Sequence, residues 1–380
     1  MLSLDRRQDV SRLLLSATFA ALLPFSAGTV LAASTLNNGT GHVYVLSNQP
    51  NGNSIVVFRR HADGTLKSVG SFATGGNGAG SGPDPLGSQN PVVLSGGGHL
   101  LFAVNAGSNT ITAFRVSGDN LIPLNTVPSG GTLPVSLTVR HGLVYVLNAG
   151  GMPNISGFTI DPKTDELVPL RHSTQPLPGG SSSAPAEVSF SSKGHALMVT
   201  ETATNKIDTF IVKADGTPQP GVAFPSSEAT PFGFAFQRGT RVAVVSDAGG
   251  GVSGASALSS YKLKKGGSLV GVSPGVGDTQ TAACWVVVTK DGGFAYTSNT
   301  GSGTISSYTV SAGGKLALLD VTAGDVALPV DMGLSRDGFL YVRDANEGTV
   351  AGFHIRSDGS LKQVTTAAGL PDGAAGLAAR

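Results

Sequence analysis

Seven short apolar runs recur along the chain: "HVYVLSN", "LLFAVNA", "LVYVLNA", "ALMVTET", "RVAVVSD", "FAYTSNT" and "FLYVRDA". They start at His42, Leu100, Leu143, Ala196, Arg241, Phe294 and Phe339. Each is largely β-branched and aromatic, a strand by pattern. A second run follows each and ends on Phe58, Phe114, Phe158, Phe210, Tyr261, Tyr308 and Phe353. Those ends lie 56, 44, 52, 51, 47 and 45 residues apart, a mean of about 49. Next come Asp-Gly or Gly-Gly turns and a third run, as in "ADGTLKSVGSF" and "SDGSLKQVTT". Glycine tolerates the positive φ that such hairpin turns need. A fourth run, usually opened by proline, precedes most units: "PVVLS", "PVSLTV", "PAEVSF", "PFGFAF", "CWVVV", "PVDMGL". Four antiparallel strands in each of seven units predict an all-β fold, a seven-bladed β-propeller. The first unit lacks a preceding inner strand, and the tail "LPDGAAGLAAR" resembles "LPVDMGLSRDG" at Leu328. The tail is therefore expected to join the first blade and close the ring. An open array of units or a sandwich is the competing arrangement.

Composition agrees with many short strands and tight turns. Charged residues are 13% and glycines number 54 of 380, against usual shares of roughly 25% and 7%. Residues 1–33 read as a signal peptide: Arg6, Arg7 and Arg12 precede an apolar run broken by Pro24, which ends in small residues at Ala32-Ala33. A Sec-type signal fits better than a twin-arginine one, because Gln8 and Asp9 stand where an apolar pair is wanted. An uncleaved anchor is the alternative. The propeller then spans 34–380, in the periplasm or secreted. Beyond the leader, 22 basic and 22 acidic residues balance, with no basic run. No nucleic acid partner, no membrane association after leader removal, and a monomer are expected. Cys284 stands alone, so no internal disulfide can support the core.

Two sets of positions bring polar groups together in register. Just past the strand in each of the seven runs quoted first, the strand second from the axis, stand Asn48, Asn105, Asn148, Glu201, Asp247, Asn299 and Asp344. Asn and Asp suit turns in their own right, whereas Glu201 is a poor turn-former. Two residues past the inner-strand proline, or its equivalent, stand Val93, Ser136, Glu187, Gly233, Trp285, Asp331 and Gly373. A carboxylate in an inner strand is costly unless paired or wet, so Glu187 and Asp331 are expected to face the channel. With the only tryptophan, Trp285, they suit a polar ligand that has an apolar face. The alternative is two water-binding carboxylates and a tryptophan plug.

Residues 74–90, "TGGNGAGSGPDPLGSQN", match neither phosphate-binding glycine pattern, and Pro91 opens a strand instead of a helix. The segment joins the first two units. It is expected to form a lid or rim, with Ser88, Gln89 and Asn90 dipping toward the axis, or else a solvated linker. No G-x-S-x-G elbow and no zinc spacing of histidines occur. No cofactor and no metal are expected, although scattered oxygens could hold a channel cation.

The stretches "YVLSNQPNGNSIVVFRRHADGTLKSVGSFATGG", "DPLGSQ", "LFAVNAGSNTITAFRV" and "VTETATNKIDTFIV" resemble the seven-bladed propeller lactonase family over residues 41–380. Its members include propeller-type 6-phosphogluconolactonases and carboxy-cis,cis-muconate lactonizing enzymes. The resemblance implies a histidine at one inner strand, then an Arg-His pair and a Glu one blade on. This chain departs there, with Pro185-Ala186, Pro231-Phe232-Gly233 and Asp247-Ala248. Two functions stay open. One is a hydrolase for a small lactone or sugar-acid derivative, working at the face with the second-to-third-strand turns. Glu187 or Glu201 would be its base, Asp331 and Asp344 would orient, Arg343 would stabilise an anionic intermediate, and Asn148 and Trp285 would bind substrate. The other is a non-catalytic ligand-binding, adhesin or scaffold module.

Overall fold

A computed structural model describes residues 40–380; the leader expected over 1–33 lies outside them. The seven sheets are the blades of an all-β propeller, numbered 1 to 7 in chain order, with strands A to D from the axis outward. Strand A of blade 1 is Ala375–Ala379, and it pairs with strand B, Gly41–Leu46. The pairing runs from Val43 with Ala379 to Leu46 with Ala375. The tail closes the ring as the repeat requires. Two backbone hydrogen bonds between His42 and Arg380 complete the joint, at 3.2 and 3.0 Å.

The outer strands are less regular. Blade 4 has a short strand D, Val222–Pro225, for which the repeat offered no match, and strand D of blade 3 is split into Leu167–Pro169 and Gln175–Pro176. The first piece in blade 3 falls within the run "TDELVPL", which the repeat offers as a third strand, whereas its second piece matches no run.

The core lies between blades. The aromatic residue ending each strand C is buried, from Phe58 round to Phe353. Strand B adds tyrosines whose hydroxyls donate to the C–D turn of the next blade. Tyr145 reaches the Gly216 carbonyl at 2.6 Å, Tyr296 reaches Gly359 at 2.8 Å, and Tyr341 reaches Gly64 at 2.8 Å. The acceptors are the glycines of the turn motif, at φ +84°, +84° and +86°. One residue type at one repeat position thus fixes the tilt of neighbouring blades, and Tyr341 does so across the ring closure.

Six of the seven strands A carry a β-bulge near the end that meets the B–C turns, as between Pro185 and Glu187 and between Val330 and Met332; strand A of blade 2 pairs without one. A bulge re-aims the side chain beside it. Strands A run from the end of the ring that carries the B–C turns and D–A connections to the end that carries the A–B and C–D turns.

Removal of residues 375–380 is expected to strip blade 1 of its inner strand and to cost a stability on the order of the 5–15 kcal/mol of a whole domain. Calorimetry should then show no cooperative transition. Tyr341→Phe leaves the Gly64 carbonyl unpaired and should cost about 1 kcal/mol in chemical denaturation.

Candidate functional site

The D–A connection between blades 1 and 2 does not arch over the channel. Residues 83–90 enter it and fill its B–C end. Glycines make the approach possible: a Cβ on Gly78 would lie 2.0 Å from the Asn48 backbone. The Ser88 hydroxyl donates to the Val135 carbonyl of blade 3 at 2.8 Å, and the Gln89 N–H donates to Ala186 of blade 4 at 3.1 Å. The Gln89 side-chain amide pairs with both backbone groups of Val286 in blade 6, donating at 3.0 Å and accepting at 3.1 Å. The Trp285 indole N–H donates to the Ser88 carbonyl at 2.9 Å. Gly233 makes room, since a Cβ there would stand 2.1 Å from Gln89 Oε1.

This corrects the expected lid. The segment is a plug, and the B–C end of the channel is closed. Trp285 packs edge-on against Phe232, with centroids 5.0 Å apart, and holds the plug instead of facing a ligand. Ser88 is likewise buried, as part of the plug itself.

Below the plug the channel is hollow. A cavity of about 770 Å³ extends to the A–B end, floored by Gln89, Asn90 and Glu187 and flanked at its mouth by Arg140 and Arg238. Site access is therefore from the face opposite to the one expected. Glu187 is 0% exposed. One carboxylate oxygen accepts from Asn90 Nδ2 at 2.8 Å, the other from the Phe234 backbone N–H at 2.6 Å. Burial pushes its pKa well above the usual carboxylate range, against these two hydrogen bonds; the negative charge of Asp331 adds to the rise. Glu187 forms no ion pair among the described residues.

Asp331 does not share this position. The bulge of blade 7 falls one residue later than that of blade 4, on Asp331 itself, at φ +53°. Its carboxylate turns back to accept from the Met332 N–H at 2.8 Å and does not line the cavity. Burial raises Asp331 to about 8, with the Arg343 charge opposing. Arg343 is buried above it, donating to the Pro83 carbonyl at 2.5 Å, so it secures the entry of the plug. Burial lowers Arg343 to about 10, while Asp84, Asp331, Asp344 and Asp372 hold it up.

The polar ring past strand B serves the turns. Asn148 Nδ2 donates to Ser129 and Asn154, at 3.3 and 3.0 Å. Asp344 accepts from the backbone of Ala327, Leu328 and Asn346. Glu201 accepts from Gly179 N–H at 2.8 Å and from the Thr204 hydroxyl. Each ties a B–C turn to the preceding D–A connection, and none lines the central cavity. Of the sequence candidates, Glu187, Gln89 and Asn90 meet at the cavity floor. Glu201, Asp331, Asp344, Asn148, Trp285, Arg343 and Ser88 do not. Arg140 and Arg238 were missed. They lie at the ends of strands A, and their only sequence signal is a cation in an A–B turn. Arg140 Nε is buried without a partner. Among the described residues no group of three or more His, Cys, Asp or Glu could hold a metal ion.

Several buried carboxyls titrate high. Burial and the neighbouring Glu201 push Asp208 up to about 9, and burial raises Asp247 to about 8. A carboxyl whose folded pKa exceeds its unfolded value of about 4 contributes stability at low pH that is lost as pH rises to the folded value. The melting temperature is therefore expected to fall between pH 5 and pH 9. Asp208→Asn should flatten that slope in a pH series of thermal scans.

The lactonase, 7-bladed beta-propeller family model matches residues 84–375. No curated protein matches the chain by sequence. Among solved structures, a protein of Bacteroides uniformis described as a 6-phosphogluconolactonase is 17% identical with a TM-score of 0.66, covering 90% of this chain and 99% of its own. The periplasmic gluconolactonase of Pseudomonas aeruginosa is 17% identical with a TM-score of 0.65, at 90% and 99% coverage. A protein of Lactobacillus plantarum is 20% identical with a TM-score of 0.66, at the same coverage. At such identities these likenesses speak for the fold, and the family match spans most of the chain. The chain belongs to the seven-bladed β-propeller lactonase family.

Proposed function

We propose that the chain is an exported hydrolase that opens a small lactone or sugar-acid ester in the central cavity. The supporting observation is Glu187: a carboxyl with no cationic partner, at the floor of a cavity whose mouth carries Arg140 and Arg238. As carboxylate, Glu187 takes a proton from a water as that water bonds to the lactone carbonyl carbon. When the ring C–O bond breaks, the departing alkoxide takes the proton back, so the group ends as it began. Arg140 or Arg238 stabilises the carbonyl oxygen or an acidic group of the substrate. Asn90 and the Phe234 N–H fix the carboxylate's orientation. Export rests on the basic, apolar and small-residue pattern of the leader; among the described residues no helix is long and apolar enough to cross a membrane.

A second reading is a binding module without turnover. It is favoured by Ala186, Phe232 and Gly233, which stand where the family resemblance implies histidine and arginine.

Purified protein assayed on a panel of sugar-acid γ- and δ-lactones should hydrolyse at least one. Glu187→Gln should lower kcat by about 10²–10⁴, the usual share of a general base. Because the working form is the carboxylate and burial raises its pKa, kcat/KM should climb with pH on a limb above the ordinary carboxylate range. A panel with no turnover, in which a sugar acid still raises the melting temperature, would select the binding module.

A further inference from the structure

The balanced charge of the chain hides a strong separation between its two ends. Of the 22 Lys and Arg after residue 39, 19 stand at A–B and C–D turns or the strand ends that meet them, beside nine Asp and Glu. The B–C end has only Lys206 and the buried Arg343. On blades 1 to 3 the cations are partly matched, as in the Arg59–Asp119 and Arg115–Asp165 pairs. On blades 4 to 7 twelve cations meet four carboxylates at those turns. The four are Asp215, Asp291, Asp337 and Asp358, and each accepts from a hydroxyl of its own turn. Every A–B turn of this arc offers one exposed cation: Lys193, Arg238, Lys290 and Arg336. A second cavity of about 910 Å³ lies along it, lined by Arg238, Lys290, Arg336 and Arg356, and Arg238 also lines the central cavity.

We infer that this arc is a binding track for a flexible acidic polysaccharide, one end of which reaches the central cavity; the second clause rests on the function proposed above. One cation per blade gives a regular row that curves around the cavity mouth. Duplex DNA stays straight over about 150 base pairs and cannot follow such a curve cheaply. Single-stranded nucleic acid is usually held on aromatic platforms, and the large apolar side chains exposed here are Ile, Leu, Val and Met, with no aromatic among them. An anionic bilayer laid on this face would cover the mouth of the cavity. A flexible chain of uronic acids meets the row and leaves the mouth open.

Fluorescence anisotropy of a labelled oligogalacturonate with the full chain tests the track. Binding is expected at low salt, weakening as salt rises. The triple variants K193E/K290E/R336E and K193Q/K290Q/R336Q should bind at least about tenfold more weakly, and the glutamine variant's slope of log K against log salt should drop by roughly two, at about 0.7 per cation lost. Lys206→Glu, on the opposite face, should change little. Absence of wild-type binding, binding that ignores both triple variants, or tighter binding to oligo-dT or to anionic phospholipid vesicles would overturn the track. Hydrolysis of small lactones is measured separately. Turnover without glycan binding removes the track and spares the function above, whereas glycan binding without turnover keeps the track and removes that function.

Discussion

The innermost strand of every blade has one edge with no partner strand. Those edges face the channel, and their N–H and C=O groups would be buried unpaired if the channel simply narrowed. The plug answers this at the B–C end. The Gln89 amide offers one donor and one acceptor with the spacing of a peptide group, and it pairs with Val286 as another strand would. The Ser88 hydroxyl and the Asn90 carbonyl do the same for Val135 and Leu137 of blade 3, and the Gln89 N–H for Ala186 of blade 4. A buried backbone group left without a partner costs about 1–3 kcal/mol, so this one short segment stabilises three blades that are far from it in sequence.

The rest of the site follows from where the plug stops. Above it, Arg343 and Trp285 hold it through the Pro83 and Ser88 carbonyls. Below it, Glu187 lines the cavity floor while fully buried, its carboxylate held by Asn90 of the plug and by Phe234 of blade 5. The plug is thus both seal and floor. It turns a channel open at two ends into a pocket open at one, and the pocket opens on the face where the cations gather.

The repeat made the architecture legible because the strand-B run recurs in all seven units and the turn glycines in six of them. A weak signal seen seven times is strong, and even the closing tail could be matched to its equivalent at Leu328. Position in the repeat was a poorer guide to side-chain direction. Glu187 and Asp331 fall in register by sequence, yet a bulge displaced by one residue sends them to different surroundings. Glu201 drew attention as an unusual turn residue, and it is one, accepting from Gly179 and Thr204 under the chain that covers it. The glycine-rich run could be placed between blades 1 and 2 but not inside the channel. Its contacts are with Val135, Ala186 and Val286, dozens to about two hundred residues away.

By itself the sequence determined the number of blades, the inner three strands of each, the closure of the ring and the total charge, because all of these depend on local pattern and its recurrence. The tertiary structure alone decided which end of the channel is sealed, which carboxylate borders the cavity and on which face the cations collect. Those outcomes depend on bulge positions and on contacts between segments far apart in the chain, and no local period encodes them.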